Sequence, residues 1–210
     1  MLDVAVKLRR LLPIGSLAAI SLGCTLVACL PSLGRLFWAP SPDGFRYALI
    51  NAALAFFLFS FQVHEKTILL PALPVMLVMP TEGLIAVWFQ LIATFSMSPL
   101  LAKDGQTTGY IGCCGLFWAC AALVPGLRSP VVEQQPRWLW RAVAASVAGA
   151  AAIELLSRAV APPPALPHLW ALAVCAYSFV HFAGFFVYFH LRQFEAVAPP
   201  RHGAGRIKTE

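Results

Sequence analysis

The chain has 210 residues, of which 60% are hydrophobic and 11% are charged, and its formal net charge is +6. Soluble domains contain about 25% charged residues, so this composition excludes a soluble globular protein and predicts one whose solvent is lipid. The basic residues are scattered between apolar runs, without a basic stripe or interleaved aromatic residues, which excludes a nucleic-acid-binding surface.

The apolar residues fall into seven segments, and most of them reach the ~17–25 residues that a membrane-spanning helix needs. This pattern predicts an all-α polytopic bundle of about seven transmembrane helices. The exception is the segment 67–80, which is short and contains Pro71, Pro74 and Pro80, so a broken or re-entrant segment is the alternative there. The segments are 11–30, 47–63, 67–80, 83–101, 108–125, 139–160 and 166–190.

The distribution of basic residues favours seven crossings. If all seven segments span, more Lys and Arg residues fall in loops on the side of the C-terminus, and the positive-inside rule places that side in the cytosol. Residues 1–196 then form the bundle, the hairpin near 63–67 is luminal, and residues 197–210 form a disordered cytosolic tail. The loop residues on the C-terminal side are Arg35, Arg46, Arg128, Arg137, Arg141, Arg192, Arg201, Arg206 and Lys208.

The N-terminus conflicts with this arrangement. Lys7, Arg9 and Arg10 precede the first segment and would lie on the luminal side, whereas a chain that begins there would keep them in the cytosol. We therefore expect that Met1 is not the natural start of the architecture.

The hairpin between the second and third segments is the strongest functional candidate. It contains Gln62, His64, Glu65 and Lys66, and ionisable groups at a membrane boundary are costly enough to suggest a functional site. The alternative is a polar interface anchor, in which Lys66 extends toward water and Glu65 pairs locally. Gln62 could bind sugar hydroxyls or form a hydrogen bond with a neighbouring helix.

Other polar and small residues favour structural roles. Glu154 and Arg158 are four residues apart in one segment, the favourable order for an ion pair, which we expect inside the bundle. Gly109, Gly112 and Gly115 predict close helix packing on one face. The six cysteines lie in apolar segments without zinc-ligand spacing, so we predict no disulfide and no metal site.

Four stretches resemble one known family. Residues 59–70 (Phe-Ser-Phe-Gln-Val-His-Glu-Lys-Thr-Ile-Leu-Leu) resemble the hallmark segment of the endoplasmic-reticulum α-1,3-glucosyltransferases that use dolichyl-phosphate-glucose. Residues 88–101, followed by Lys103 and Asp104, are similar to the next family block, and 166–169 and 185–189 are similar to its last span. Gln62, together with the sequence at 94–97, resembles the enzyme that adds the first glucose.

This resemblance implies a bundle of the GT-C type and a multi-pass protein of the endoplasmic-reticulum membrane. The implied reaction transfers glucose from dolichyl-phosphate-glucose to a dolichyl-pyrophosphate-linked high-mannose oligosaccharide in N-glycan precursor synthesis. The catalytic role implied for His64 is stabilisation of the leaving phosphate, and Lys66, Glu65 and Gln62 would bind substrate. No cofactor is implied.

Family members also carry an N-terminal half with an acidic catalytic residue, which nothing in this chain matches. The resemblance therefore implies a C-terminal half that needs the missing N-terminal half as its partner and lacks the catalytic base when isolated. Two alternatives remain at this point: a non-catalytic polytopic protein, such as a transporter or scaffold, and an inactive truncated paralogue.

Overall fold

The computed structural model describes residues 14–123 and 135–196, and within these ranges the regular structure is entirely helical. The predicted class, a helical membrane protein, is confirmed. The predicted tail after 196 and the basic residues before 14 lie outside the described ranges. We number the helices α1 Ile14–Trp38, α2 Pro42–Phe59, α3 Leu69–Met76, α4 Gly83–Ser96, α5 Ser98–Lys103, α6 Thr107–Leu123, α7 Arg137–Ala159 and α8 Leu169–Ala196.

Three of these helices are long and apolar enough to cross a membrane. They are α1, α7 and α8, with 25, 23 and 28 residues, and the 18-residue windows that qualify them have mean hydropathies of 1.5 to 1.9. Helices α4 and α6 are also apolar but shorter, with 14 and 17 residues. The number of spans, predicted as seven, stays a prediction.

Aromatic packing around α4 forms the core of the bundle. Phe89 on α4 is fully buried, and its ring lies 5.2–6.4 Å from those of Phe182, Phe185 and Phe189 on α8. Because lipid tails are as apolar as these rings, van der Waals packing rather than transfer from water holds such helices together. The close-packed centre therefore fixes α4 and α8 as the scaffold on which the other helices are placed.

Helices α2 and α8 run antiparallel. Tyr47, near the start of α2, packs against Phe189, whereas Phe57, near its end, packs against Phe182. The bundle therefore has two distinguishable ends. We call the end that contains residues 60–68 and the first half of α8 the hairpin end. The opposite end, which we call the arginine end, contains Arg35, Arg46, Arg137, Arg141 and Arg192.

The proline-containing segment 67–80 connects the two ends of the bundle with short helical pieces and turns instead of one long helix. Residues Glu65–Ile68 form a 3₁₀ turn, α3 adds eight residues, and turns complete the path to Glu82 at the arginine end. Pro74 lies inside α3 and has no N–H to donate. The Gln90 side chain on α4 donates to the Ala72 carbonyl at 2.6 Å, which ties the short helix to the core.

Two structural expectations have different outcomes. The ion pair of Arg158 with Glu154 is confirmed at 2.9 Å, although Arg158 is 47% exposed rather than interior. The expected close packing on the glycine face of α6 is wrong for the described part of the chain. A Cβ at Gly112 or Gly115 would meet nothing within 4 Å, so these glycines are not closely packed against another described helix.

Candidate functional site

A groove opens at the hairpin end between α2, the hairpin and α8, and we call it the His64 groove. Its volume is about 530 Å³, within the range of about 300–1,000 Å³ that is usual for ligand pockets. Its walls are mostly apolar. The apolar side chains are Phe57, Leu58, Val63, Phe179 and Phe182, and the polar side chains are His64, Glu65, Ser96 and Ser178, with Cys175 beside them.

Backbone geometry positions the hairpin against this groove. Helix α2 ends at Phe59, and Gln62 reverses the chain with φ of 57°, a left-handed conformation that is uncommon outside glycine. His64 then adopts an extended conformation, and its carbonyl accepts a hydrogen bond from the Thr67 N–H at 2.9 Å. Ile68 is fully buried and anchors the returning chain. The reversal and the anchor together hold the side chain of His64 at the groove.

The structure separates the four predicted site residues into two pairs. His64 and Glu65 line the groove, whereas Gln62 and Lys66 are exposed on the hairpin outside its lining. None of the four side chains has a hydrogen bond or ion pair with another residue in the described ranges. The local pairing of Glu65 expected for an interface anchor is therefore not formed there, and neither is the contact of Gln62 with a helix.

The groove can accommodate an amphiphile. Its aromatic and aliphatic walls suit a hydrocarbon chain, and its polar side chains offer an imidazole, a carboxylate and two hydroxyl groups to a headgroup. His64 and Glu65 lie at the bundle's end rather than in its middle. Such an arrangement orders a ligand with its chain toward the bundle and its headgroup toward the hairpin.

The sequence interpretation missed a buried carboxylate at the arginine end. Glu82 is 6% exposed and accepts hydrogen bonds from the Tyr47 hydroxyl at 2.8 Å, the Tyr188 hydroxyl at 2.5 Å and the Arg192 Nε at 2.5 Å. Three donors satisfy the carboxylate and join α2 and α8 to the start of α4. The only signal in the sequence is an acidic residue between two apolar segments.

A second buried network at this end centres on an amide. Ser32 Oγ and Asn51 Nδ2 donate to Gln193 Oε1 at 2.6 and 3.0 Å. Gln193 Nε2 in turn donates to the carbonyls of Ser32 and Gly44, at 3.0 and 3.2 Å. Since Gln193 is fully buried, these bonds tie α1, α2 and α8 together without reaching a solvent-filled site.

His181, to which the sequence assigned no role, belongs to a network in the middle of the bundle. Trp88 Nε1 donates to Ser146 Oγ at 2.8 Å, and Ser146 Oγ lies 2.8 Å from His181 Nε2. His181 Nδ1 lies 2.8 Å from the Tyr177 carbonyl, and the Tyr177 hydroxyl donates to the Ser146 carbonyl at 2.7 Å. These contacts join α4, α7 and α8, which gives His181 a structural position.

A second groove, between α4, α6 and α7, has a volume of about 520 Å³ and is also largely apolar. At the hairpin end its lining includes Tyr110, Glu154 and Arg158. Because Glu154 and Arg158 form an ion pair with each other, this groove offers fewer unpaired polar groups to a ligand than the His64 groove does. Within residues 14–123 and 135–196, no three His, Cys, Asp or Glu side chains come together as metal ligands.

Comparison with known proteins connects this site to named relatives. The chain is 36% identical over 210 residues to the Rattus norvegicus protein named dolichyl pyrophosphate Man9GlcNAc2 alpha-1,3-glucosyltransferase, covering 90% of this chain and 41% of the relative. A Dictyostelium discoideum protein with the same name, qualified as probable, is 34% identical, with 90% of this chain and 40% of the relative covered. The Saccharomyces cerevisiae protein of that name is 29% identical, with coverages of 91% and 40%.

The chain therefore spans about two fifths of the length of the curated relatives that it matches. A family comparison also covers most of this chain. Residues 9–188 match the family described as "ALG6, ALG8 glycosyltransferase family", and this range includes the hairpin and the whole lining of the His64 groove. On this match, the chain belongs to the ALG6, ALG8 glycosyltransferase family.

Proposed function

We propose that this chain forms the donor-lipid side of a glucosyltransferase of the endoplasmic-reticulum membrane. The enzyme would move glucose from dolichyl-phosphate-glucose to a dolichyl-pyrophosphate-linked high-mannose oligosaccharide, with an α-1,3 linkage. The names of the relatives specify such an acceptor for those proteins. The observation that carries the proposal is the His64 groove, because it combines apolar walls with a polar mouth at the end of the bundle.

The groove accounts for how a lipid-phosphate donor would be held. Phe57, Phe179 and Phe182 would contact the polyprenyl chain, while His64 at the mouth would face the phosphate. The lipid would thereby be oriented with its sugar toward the luminal surface. No nucleotide is required, since the lipid phosphate is itself the leaving group.

His64 acts on the step that breaks the donor. The bond between the anomeric carbon and the phosphate oxygen breaks, and dolichyl phosphate leaves with the electron pair. The acceptor hydroxyl forms the new bond with inversion and loses its proton to a base. An imidazole N–H from His64 would stabilise the charge that develops on the phosphate, the effect that preorganised donors supply most strongly.

The exposed residues of the hairpin take weaker roles. Lys66 lies outside the groove lining, so its ammonium would attract the anionic headgroup during entry rather than hold it in place. Gln62 would contact sugar hydroxyls from the hairpin surface. Glu65 lines the groove and would orient the headgroup. We assign the catalytic base to the partner half of the full-length enzyme, as the family resemblance implies.

Alkylation of Cys175 tests whether the donor occupies this groove. Cys175 belongs to the lining, is exposed and is a free thiol, whereas Cys24 and Cys120 are exposed free thiols outside it. Dolichyl-phosphate-glucose added to the purified chain should slow the reaction of Cys175 with N-ethylmaleimide and leave Cys24 and Cys120 unchanged. Site-resolved mass spectrometry measures each rate. Protection of Cys114, in the second groove, without protection of Cys175 would contradict the assignment.

Transfer itself requires a separate measurement. The full-length enzyme, reconstituted in vesicles with labelled dolichyl-phosphate-glucose, should place one labelled glucose on the lipid-linked oligosaccharide. The isolated chain should protect Cys175 with the donor but transfer no glucose, because the base lies in the partner half. Glucose transfer by the isolated chain would overturn that division of roles.

A further inference from the structure

We propose that the Ser178 hydroxyl donates a hydrogen bond to a phosphate oxygen of the polyprenyl phosphate in the His64 groove. This inference rests on the proposed function, since it needs a lipid phosphate in that groove. It adds a positioning residue on α8, far from the hairpin in sequence, that no motif indicates.

The hydroxyl of Ser178 is buried and has no hydrogen-bond partner among the described residues. The residue is 3% exposed, and its Oγ makes no hydrogen bond with any atom in the described part of the chain. An unpaired buried hydroxyl is unfavourable, because the hydrogen bonds that it made with water are not replaced. The fold has therefore retained an unfavourable group at this position, and a ligand oxygen would satisfy it.

Two threonine hydroxyl groups in the bundle avoid this cost by bonding to their own helix. Thr25 donates to the Ser21 carbonyl at 2.8 Å, and Thr94 donates to the Gln90 carbonyl at 2.7 Å. Ser178 could use the Val174 carbonyl in the same way, four residues earlier. It does not, so its hydroxyl remains available to a group outside the helix.

Two ring contacts made by residues that follow Ser178 on α8 place it at the level of the hairpin. Phe182, one turn later on the same face of α8, contacts Phe57 with ring centroids 5.3 Å apart. Phe59, the last residue of α2, contacts Phe186 with centroids 6.0 Å apart. The chain that continues from Phe59 to His64 therefore lies beside the preceding turns of α8, where Ser178 is located.

Ser178 and His64 consequently face one groove from opposite elements, and both belong to its lining. A phosphate has several oxygens and can accept from an imidazole N–H and a hydroxyl at once. Ser96, the other hydroxyl in the lining, already donates to the Ala93 carbonyl at 2.7 Å. This leaves Ser178 as the free hydroxyl donor of the groove, among the residues that line it.

The test measures binding rather than transfer. Farnesyl phosphate serves as a short polyprenyl phosphate, and farnesol serves as the same chain without phosphate. In the purified chain, Ser178→Ala should raise the farnesyl phosphate concentration that half-protects Cys175 by about tenfold, the effect of one hydrogen bond to a charged group. The weaker protection by farnesol should not change, and Ser178→Thr, which keeps the hydroxyl, should retain most of the affinity.

Thermal unfolding separates this role from a structural one. Ser178→Ala should leave the Tm unchanged or raise it, because it removes an unpaired hydroxyl. Ser146→Ala is the matched control, since Ser146 Oγ has two partners, and it should lower the Tm without affecting farnesyl phosphate binding. A fall in Tm for Ser178→Ala as large as that for Ser146→Ala would show a structural partner and overturn the proposal.

The two proposals fail in different ways. If farnesyl phosphate protects Cys175 equally in the wild-type chain and Ser178→Ala, the role of Ser178 is wrong and the lipid-phosphate groove stands. If farnesyl phosphate protects no better than farnesol in the wild-type chain, the groove does not recognise phosphate. Both proposals then fall.

Discussion

Two well-paired polar side chains at one end of the bundle contrast with two unpaired ones at the other. At the arginine end, Glu82 and Gln193 are buried and saturated with hydrogen bonds from several helices. At the hairpin end, His64 and Glu65 have no partner among the described residues and face a groove. The contrast indicates that one end secures the bundle and the other remains open to a ligand.

This division has a physical basis. A satisfied buried network rigidifies the helices that contribute to it, whereas a group left unpaired keeps its capacity to bind. The Glu82 cluster lies at the opposite end of α8 from Ser178, so ligand binding and helix association use different parts of the same helix. The comparison predicts that substitutions at one end change catalysis and those at the other change stability.

The largest expected effect is on catalysis at the hairpin end. In the full-length enzyme, His64→Ala should lower kcat/KM by ~10²–10³, the loss seen when one transition-state donor is removed. The melting temperature should not change, because His64 is exposed and its side chain makes no hydrogen bond or ion pair with the described residues. His168→Ala removes another exposed histidine at the same end, outside the groove, and should leave turnover unchanged. Equal turnover of His64→Ala and wild type would contradict a catalytic role and support the alternative that the hairpin is a polar interface anchor.

The next effect concerns stability at the arginine end. Glu82→Leu leaves two tyrosine hydroxyls and the Arg192 Nε without their acceptor. This should lower the free energy of unfolding by about 3 kcal/mol, the low end for a broken buried ion pair, because Arg192 is partly exposed and keeps Glu195 as a partner. Denaturant titration in detergent measures it. Glu195 also pairs with Arg192 but is 65% exposed, so Glu195→Gln should cost no more than about 0.5 kcal/mol. Equal costs would remove the distinction between the buried and exposed pairs.

A smaller loss is expected for the amide network. Gln193→Ala removes its bonds to Ser32, Asn51 and Gly44 and should lower the free energy of unfolding by about 2 kcal/mol. Gln106 is exposed at the hairpin end, and Gln106→Ala should have no measurable effect in the same titration. Farnesyl phosphate protection of Cys175 should be the same in both variants. A loss of binding in Gln193→Ala would mean that the two ends are coupled.

The smallest expected effect concerns the left-handed backbone conformation of Gln62 in the hairpin. Gln62→Gly should stabilise the protein by up to about 1 kcal/mol, because glycine adopts the φ of 57° without steric cost. Gly105 has φ of 70° and open space around it, so Gly105→Ala should destabilise by about 1 kcal/mol. Chemical unfolding measures both variants. A destabilised Gln62→Gly would show that the glutamine side chain has a role in the fold.

The sequence predicted the hairpin site better than the arginine end, for a reason visible in the contacts. His64 and Glu65 are neighbours in sequence, so one motif brings them to the groove. The three donors to Glu82 come from residues 35, 106 and 110 positions away. Neither the periodicity of apolar residues nor the spacing of charges predicts contacts between residues so far apart in sequence. For the same reason, the sequence does not predict that Ser178 lies in the groove with His64.

The apolar segments predicted helices well and their ends less well. The segment 83–101 divides into α4 and α5 at Met97, and Pro99 lies in the first turn of the new helix. Helices α1 and α8 extend beyond the apolar segments to Trp38 and Ala196, because intrahelical hydrogen bonds continue where side chains become polar. The prediction of close packing on the glycine face of α6 was wrong for a different reason. The glycine spacing permits a helix to approach closely, but it does not determine whether a helix lies there.

The short helix α3 has a consequence for the surrounding lipid. Its eight residues rise about 12 Å, whereas a bilayer's hydrocarbon core is about 30 Å thick. Leu69, Leu70 and Leu73 present an apolar surface 53–73% exposed, but this helix alone covers less than half of that thickness. A bilayer crossing at this wall therefore requires local thinning of the membrane. Such a depression beside the hairpin would bring headgroups and water inward and shorten the path of an amphiphile into the groove.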